Sequence, residues 1–294
     1  MIGVFGSGQV AQHISEYLDQ INVKHQIVGR PGKLINPVPV HREKDVSFAV
    51  DLASPTELKD IAGKFEVAIY TSAYRDLLAC EASYALADRI NHLVPRVLSK
   101  YVPTLYISTD YVFGKLNADW QRPIPGKIGE GEDPESEYFS GGPKSVYGKT
   151  KRSGELGVLA HDGWVARIAS PFGKWRSPLR ESFVDIMGSK SGEVILPDKQ
   201  IISPTYLPEA VRLMVGLLLD RKDPGVYHTV NEGSVSYADL VRQIRRERGI
   251  SGKVIGREDN KDDALRPDYS ALQNNKLDKL SHWAEAIHTH FKGY

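Results

Sequence analysis

The chain predicts an α/β fold, a doubly wound parallel sheet followed by a smaller C-terminal α/β lobe. Three observations carry this. An apolar run, Ile2 to Phe5, meets the tight turn Gly6-Ser7-Gly8 at once; strand-like runs then alternate with helical stretches through the first half; after about Gly173 the alternation loosens. The expected division is residues 1–173 for the sheet domain and 174–294 for the lobe, with some interleaving.

After the glycine turn, Val10, Ile14 and Leu18 recur at helical spacing, so the chain opens strand, turn, helix. Further strands are predicted at Gln26 to Val28, Val67 to Thr71, Leu105 to Ser108 and Val165 to Ile168, with helices at Pro55 to Ala62 and Ala82 to Leu98. Residues 115–144 are rich in Gly, Pro and acids and show no period, which predicts a long loop of the kind that forms lids. In the lobe, extended pieces are expected at Val194 to Leu196 and Val226 to Val230, and helices at Leu207 to Leu219 and Tyr237 to Arg248. The run Arg242, Arg245, Arg246 and Arg248 reads as one face of a surface helix, His288 and His290 as solvated, and Trp283 as packing for the terminal helix.

Composition excludes several classes of function. Lys plus Arg number 38 against 37 Asp plus Glu, and a net charge of +1 leaves no global field to hold a nucleic acid. The single cysteine, Cys80, has no disulfide partner and no companion at metal-ligand spacing, so no metal is expected and a reducing compartment is. No run of about 18 apolar residues suggests a membrane span. The opening residues carry no basic, apolar leader, and the expected location is the cytoplasm.

Gly6-Ser7-Gly8-Gln9-Val10-Ala11 fits G-x-G-x-x-A between a strand and a helix. The first glycine makes the turn, the second lets backbone approach a pyrophosphate, and the small third residue lets helix pack on strand; the helix N-terminus offers its N–H groups to the phosphates. Gly6, Gly8, Gln9 and Val10 are therefore candidate cofactor residues. At the end of the second strand stands Arg30, with Lys33 close behind, where a cation suits a 2′-phosphate. This favours NADPH and leaves NADH open, because Arg30 also reads as a solvated loop charge. Asp51 and Leu52 are placed for the adenine, or as the acidic start of a helix.

Tyr147 and Lys151 stand at i and i+4 of a predicted helix, about 5–6 Å apart at their β-carbons. A phenol titrates near ~10, and an adjacent ammonium lowers that value toward a working pH. Ketone reduction needs a hydride, a proton for the developing alkoxide and a hydroxyl to orient the carbonyl. Thr109, where the strand through Ser108 ends, is the candidate for the last role, although a hydroxyl pair at a strand end also caps turns.

With these residues in place, the chain resembles the extended short-chain dehydrogenase/reductases of the Rossmann class, and within them the dTDP-4-dehydrorhamnose reductase family. The resemblance rests on Ser108-Thr109-Asp110-Tyr111-Val112-Phe113, on Val146-Tyr147-Gly148-Lys149-Thr150-Lys151 with Gly154-Glu155, and on Ser72-Ala73-Tyr74 and Asn91. In the second half it includes Ser203-Pro204-Thr205-Tyr206, Gly225-Val226-Tyr227-His228, Val230-Asn231-Glu232-Gly233, Arg266-Pro267 and Leu272. It implies Thr109, Tyr147 and Lys151 as catalytic residues, with Asn91 holding Lys151 through water. It also implies Ser72, Ala73 and Tyr74 lining the cofactor beside Tyr147 and Lys151, and Ser108, Asp110, Tyr111 and Arg266 meeting a nucleotide-sugar, Arg266 at its diphosphate. The implied reaction is NADPH-dependent reduction of a 4-keto group on a nucleotide-linked deoxysugar in dTDP-rhamnose-type carbohydrate biosynthesis, and a homodimer is a compatible assembly.

The sequence departs from the family in three places. The glycine turn is shorter than Gly-x-x-Gly-x-x-Gly, the segment from Thr109 to Tyr147 is longer, and Ser170, counted here with the cofactor residues, stands where a tryptophan commonly packs on the sugar. Two alternatives stay open: a non-catalytic NADP-binding subunit resembling the regulatory subunit of methionine adenosyltransferase, and a nucleotide-sugar epimerase or dehydratase. The retained proton donor weighs against the first, and Asp110-Tyr111, lacking an Asp-Glu pair, against a dehydratase.

Overall fold

In this computed structural model the described residues are 1–29, 46–49, 55–114, 128–135, 139, 142–174, 182–257 and 265–292. Six strands enter the main sheet in chain order: β1 Ile2–Phe5, β2 His25–Gly29, β3 Val46–Ala49, β4 Val67–Tyr70, β5 Thr104–Thr109 and β6 Trp164–Ile168, with Gly225–His228 as a seventh. The spatial order is Gly225–His228, β6, β5, β4, β1, β2, β3. The pairings of β3 with β2, β2 with β1, β1 with β4 and β4 with β5 are parallel. The expected doubly wound sheet is thus present, its order reversing beside β1, where such folds bind ligands at the carboxyl ends of the strands.

The chain divides into two compact units. The first comprises Met1–Ser108, Val146–Ala166 and Val211–Tyr227, and the second Thr109–Ser145, Arg167–Ala210 and His228–Tyr294. In the first, Phe5, Val28, Leu58, Ile61, Phe65, Tyr70, Leu98, Tyr106 and Val158 form one apolar core. The alternation of apolar runs with 3.6-period stretches produces it, since each helix buries one stripe against the sheet. The helices Pro55–Ala62, Leu207–Leu219 and Tyr237–Arg248 occupy the predicted ranges. Among the described residues the second unit holds three small sheets and two apolar clusters, one around Phe172, Val184, Tyr206, Leu240 and Ile287 and one around Val112, Phe113, Ile128, Phe139 and Leu272.

Several expectations are corrected. The stretch Ala82 to Leu98 is not one helix but a series, Leu77–Ala82, Tyr84–Asp88, the π turn Arg89–Leu93 and Val94–Leu98. Pro95 has no N–H to donate four residues back to Asn91, and the backbone widens ahead of it. Of the expected loop 115–144, residues 128–135, 139 and 142–144 are described; no helix or strand falls among them, and Ile128, which bridges Leu272, and Phe139 are buried in the core. Arg245 is buried rather than on a surface face, its guanidinium donating to the carbonyls of Lys190 and Lys253. His290 is likewise buried, bonded through Nε2 to Asp185 Oδ1 at 2.7 Å with Phe172 and Phe291 beside it. Both follow the buried stripe of their helices, Arg245 with Ala238 and Val241, His290 with Ala286 and Ile287.

Candidate active site

In the first unit the glycine turn is built around a backbone that only glycine tolerates. Gly6 has φ +139°, and a β-carbon there would lie 2.3 Å from Thr71 Oγ1 and 3.0 Å from the Ser72 nitrogen. Thr71 and Ser72 lock this approach by donating both backbone N–H and side-chain hydroxyl to the Phe5 carbonyl. Gly8 caps the helix Gln9–Gln20 without a side-chain hydrogen bond, and a β-carbon there would meet nothing within 4 Å. No side chain caps this helix start, and there is room for a ligand beside Gly8.

Asn91 ties the following segments together. Its Oδ1 accepts from the Tyr74 N–H at 2.9 Å, and its Nδ2 donates to the Tyr74 carbonyl at 2.9 Å and to Thr150 Oγ1 at 3.0 Å. Thr150 lies on the helix Val146–Leu159, whose first N–H, that of Val146, donates to Glu81 Oε1 at 2.7 Å. Tyr147, half-buried, and Lys151, 1% exposed, stand one turn apart on this helix. Lys151 Nζ donates to the Ile107 carbonyl at 2.5 Å and sits 3.9 Å from the centroid of the Tyr106 ring. Burial pushes its ammonium down to about 7, against the pull of the Glu155 carboxylate. Glu155, also buried, accepts from Ser108 Oγ at 2.6 Å and pairs with Arg152 at 3.3 Å. Burial holds the Tyr106 phenol well above its usual range, and its hydroxyl donates to the Asn91 carbonyl at 2.5 Å.

Gly154 is where this helix touches the π turn. A β-carbon on it would fall 2.1 Å from the Asn91 carbonyl oxygen and 2.6 Å from the Tyr106 hydroxyl. The helix preference of alanine, about 1 kcal/mol, cannot offset a clash with backbone. Gly154→Ala is expected to lower stability by about 1–3 kcal/mol net, read as a fall in the denaturant midpoint at unchanged slope.

The second unit begins with Thr109, at the end of β5. Its hydroxyl donates to Asp110 Oδ1 at 3.1 Å and accepts from the Tyr111 N–H at 3.3 Å. Asp110 Oδ2 accepts from Ser270 Oγ at 2.6 Å, and Arg266 Nη1 donates to the Tyr111 hydroxyl at 2.6 Å. Ser170, at φ +39°, shares a 2.9 Å hydrogen bond with the Tyr237 hydroxyl. Asp110 and Arg266 act electrostatically on Tyr237.

The structure gathers Gly6, Ser72, Tyr74, Asn91, Ser108, Tyr147 and Lys151 in the first unit, with Gly8, Gln9, Val10 and Ala73 between them in sequence. Thr109, Asp110, Tyr111, Ser170 and Arg266 lie in the second. Asn91 bonds Thr150 on the lysine's helix, and Lys151 Nζ bonds Ile107. Arg30, Asp51 and Leu52 lie outside the described residues. Glu155, Thr150, Ser270 and Tyr237 were not singled out from the sequence as site residues. Glu155 carried a signal, its i+4 spacing from Lys151, whereas Ser270 and Tyr237 meet their partners across 160 and 67 residues of chain. Among the described residues no group of three or more His, Cys, Asp or Glu is placed to hold a metal ion. No helix among them is long and apolar enough to cross a membrane.

A parallel sheet with this order and a glycine turn after its first strand defines the Rossmann class of nucleotide-binding α/β proteins. Within it the chain belongs to the family described as RmlD substrate binding domain, whose model matches residues 2–294. It is 26% identical over 238 residues to the spore coat polysaccharide biosynthesis protein SpsK of Bacillus subtilis, covering 76% of this chain and 77% of that one. It is 27% identical over 259 residues to a dTDP-4-dehydrorhamnose reductase of Mycolicibacterium smegmatis, covering 82% and 74%. A crystal structure of dTDP-4-dehydrorhamnose reductase from Bacillus anthracis in complex with NADP shares the fold, with a TM-score of 0.80 at 22% identity over 100% of this chain and 99% of that one.

Proposed function

We propose that the protein reduces the 4-keto group of a nucleotide-linked deoxysugar, with NADPH as reductant and Tyr147 as proton donor. The observation that carries this is Lys151, buried one helical turn from Tyr147 with its Nζ on the Ile107 carbonyl; burial pushes its ammonium down to about 7. The M. smegmatis relative, named for reduction of a dTDP-linked keto sugar, supports the substrate class, and the NADP in the B. anthracis neighbour supports the cofactor.

The first unit fits a dinucleotide. The cradle at Gly6, the open approach at Gly8 and the N-terminus of Gln9–Gln20, capped by no side chain, suit a pyrophosphate, with Ser72 beside them. Gln9, Val10, Ala73 and Tyr74 complete this face, and Arg30, Asp51 and Leu52 belong to the same proposal. When bound, the reduced nicotinamide supplies the hydride. Lys151 has three donors, of which Ile107 takes one, and its charge stabilises the Tyr147 phenolate left after proton donation. Asn91 holds the Tyr74 segment and the Lys151 helix in one arrangement. Thr109 orients the carbonyl oxygen, and Arg266 and Tyr111 meet the nucleotide-sugar. We place the protein in the cytoplasm, in keeping with a lone, buried Cys80.

The test is NADPH oxidation against a panel of nucleotide-linked 4-keto sugars. At least one is expected to be turned over at a rate of about 1 s⁻¹ or more. NADPH binding with no turnover of any member overturns the reading in favour of a binding subunit.

A further inference from the structure

Thr109 has one hydroxyl proton, and beside an ionised Asp110 it is donated to Oδ1 at 3.1 Å, while the Thr109 oxygen accepts from the Tyr111 N–H. An ionised carboxylate is a stronger acceptor than a ketone oxygen, so a substrate carbonyl cannot readily win that proton from it. Asp110 is 3% exposed, with its second oxygen bonded to Ser270. It therefore reaches a ligand through Thr109 rather than by touching it.

We propose that Asp110 is the positioning residue for the Thr109 hydroxyl: protonated on Oδ1, it donates to Thr109 Oγ1 and frees the threonine proton for the substrate carbonyl, and ionised, it withholds that proton. This rests on the keto-sugar reductase reading, because it needs a carbonyl at Thr109. The hydrogen bonds balance in both forms. The Thr109 oxygen accepts from Tyr111 N–H and from the acid together, Oδ2 keeps its bond from Ser270, and the added proton comes from solvent.

The surroundings of Asp110 allow both forms. Burial pushes its carboxyl up to about 6, while hydrogen bonds from Ser270, Thr109 and its own backbone and the charge of Arg266 pull it down. Tyr237, the other titratable group acting here, has its phenol raised by burial and by Asp110, so it stays neutral through this range.

The experiment is the pH profile of kcat/KM for the responding keto sugar between pH 5 and 9, with thermal unfolding midpoints as a check on folding. In the unsubstituted protein kcat/KM should fall above about pH 6 as Asp110 ionises, since kcat/KM reports groups of the free enzyme. Asp110→Asn places an amide donor permanently on Thr109 and keeps an acceptor for Ser270. It should remove the fall that begins near pH 6, leaving the fall set by Lys151 near pH 7, and raise the ratio of kcat/KM at pH 8 to that at pH 5.5 by about tenfold or more. Ser270→Ala removes a donor that stabilises the carboxylate, so it should move the limb to higher pH, and it decides the matter if the asparagine variant does not fold. An equal loss at every pH, or a limb that neither substitution moves, overturns the proposal. If Tyr147→Phe abolishes turnover in the same assays, that failure leaves the reductase reading standing. If Tyr147→Phe keeps turnover, the reductase reading falls too.

Discussion

Tyr147→Phe is expected to lower kcat by about 10²- to 10⁴-fold while the protein stays folded, the range expected for loss of a positioned general acid. The substitution removes one hydroxyl and keeps the half-buried ring. The helix around it is held by other groups, namely Glu81 on the Val146 N–H, Asn91 on Thr150 and Lys151 on the Ile107 carbonyl. These contacts remain in the variant, so it should still unfold cooperatively, with stability lowered by no more than about 1–2 kcal/mol. If the hydroxyl acts only in the transition state, kcat and kcat/KM fall together and KM stays near its original value. The measurement is steady-state NADPH oxidation with varied keto sugar at fixed saturating NADPH. A rise in KM with kcat intact would instead make Tyr147 a substrate-binding group, and unchanged turnover would remove it from the site.

The parts of this site that were legible in the sequence are local ones. A glycine turn between a strand and a helix spans six residues, and Tyr147 and Lys151 are neighbours because any helix makes i and i+4 neighbours. The parallel, doubly wound sheet follows from the alternation of strand and helix. What was not legible is pairing over long separations. Nothing near Asp110 points to Ser270, and nothing near Ser170 points to Tyr237, because both contacts are made by the packing of the second unit.

Polarity also misled the sequence reading where the fold satisfies it internally. His290 and Arg245 look solvated by type, yet each lies on its helix's buried stripe with acceptors waiting, Asp185 for the histidine and two carbonyls for the arginine. The split of Ala82 to Leu98 was legible in principle. Pro95 stands four residues after Asn91, the spacing at which proline removes a helical hydrogen bond. The widened turn sets Asn91 between Tyr74, Thr150 and Tyr106, so a break in a helix becomes the joint of the candidate site.

Lys151→Met should all but abolish turnover, by about 10²-fold or more, and at the same time stabilise the protein at neutral pH. The ordinary lysine value of 10.5 falls to about 7 here because burial disfavours the ammonium. That difference corresponds to roughly 5 kcal/mol against the charged form. Methionine removes this cost, but the Ile107 carbonyl loses its donor and the Tyr106 ring its cation, together worth about 2–4 kcal/mol. A net gain of about 1–3 kcal/mol is expected at pH 7. Its pH dependence has a definite sign. Between pH 7 and 10.5 the unfolded chain holds the lysine proton and the folded chain does not, so the stability of the unsubstituted protein rises with pH across that window. Below pH 7 both states are protonated and the cost is present in full. The variant's advantage should therefore be largest at and below pH 7 and shrink toward pH 10, where the neutral amine of the unsubstituted protein still donates to the Ile107 carbonyl and the variant, lacking that bond, is the less stable of the two. Thermal unfolding of both proteins at pH 6.5 and 9.5 measures this directly. A variant less stable at both values, by the same margin, would show that burial does not lower the Lys151 value and that the folded protein holds an ordinary ammonium beside Tyr147 across this range.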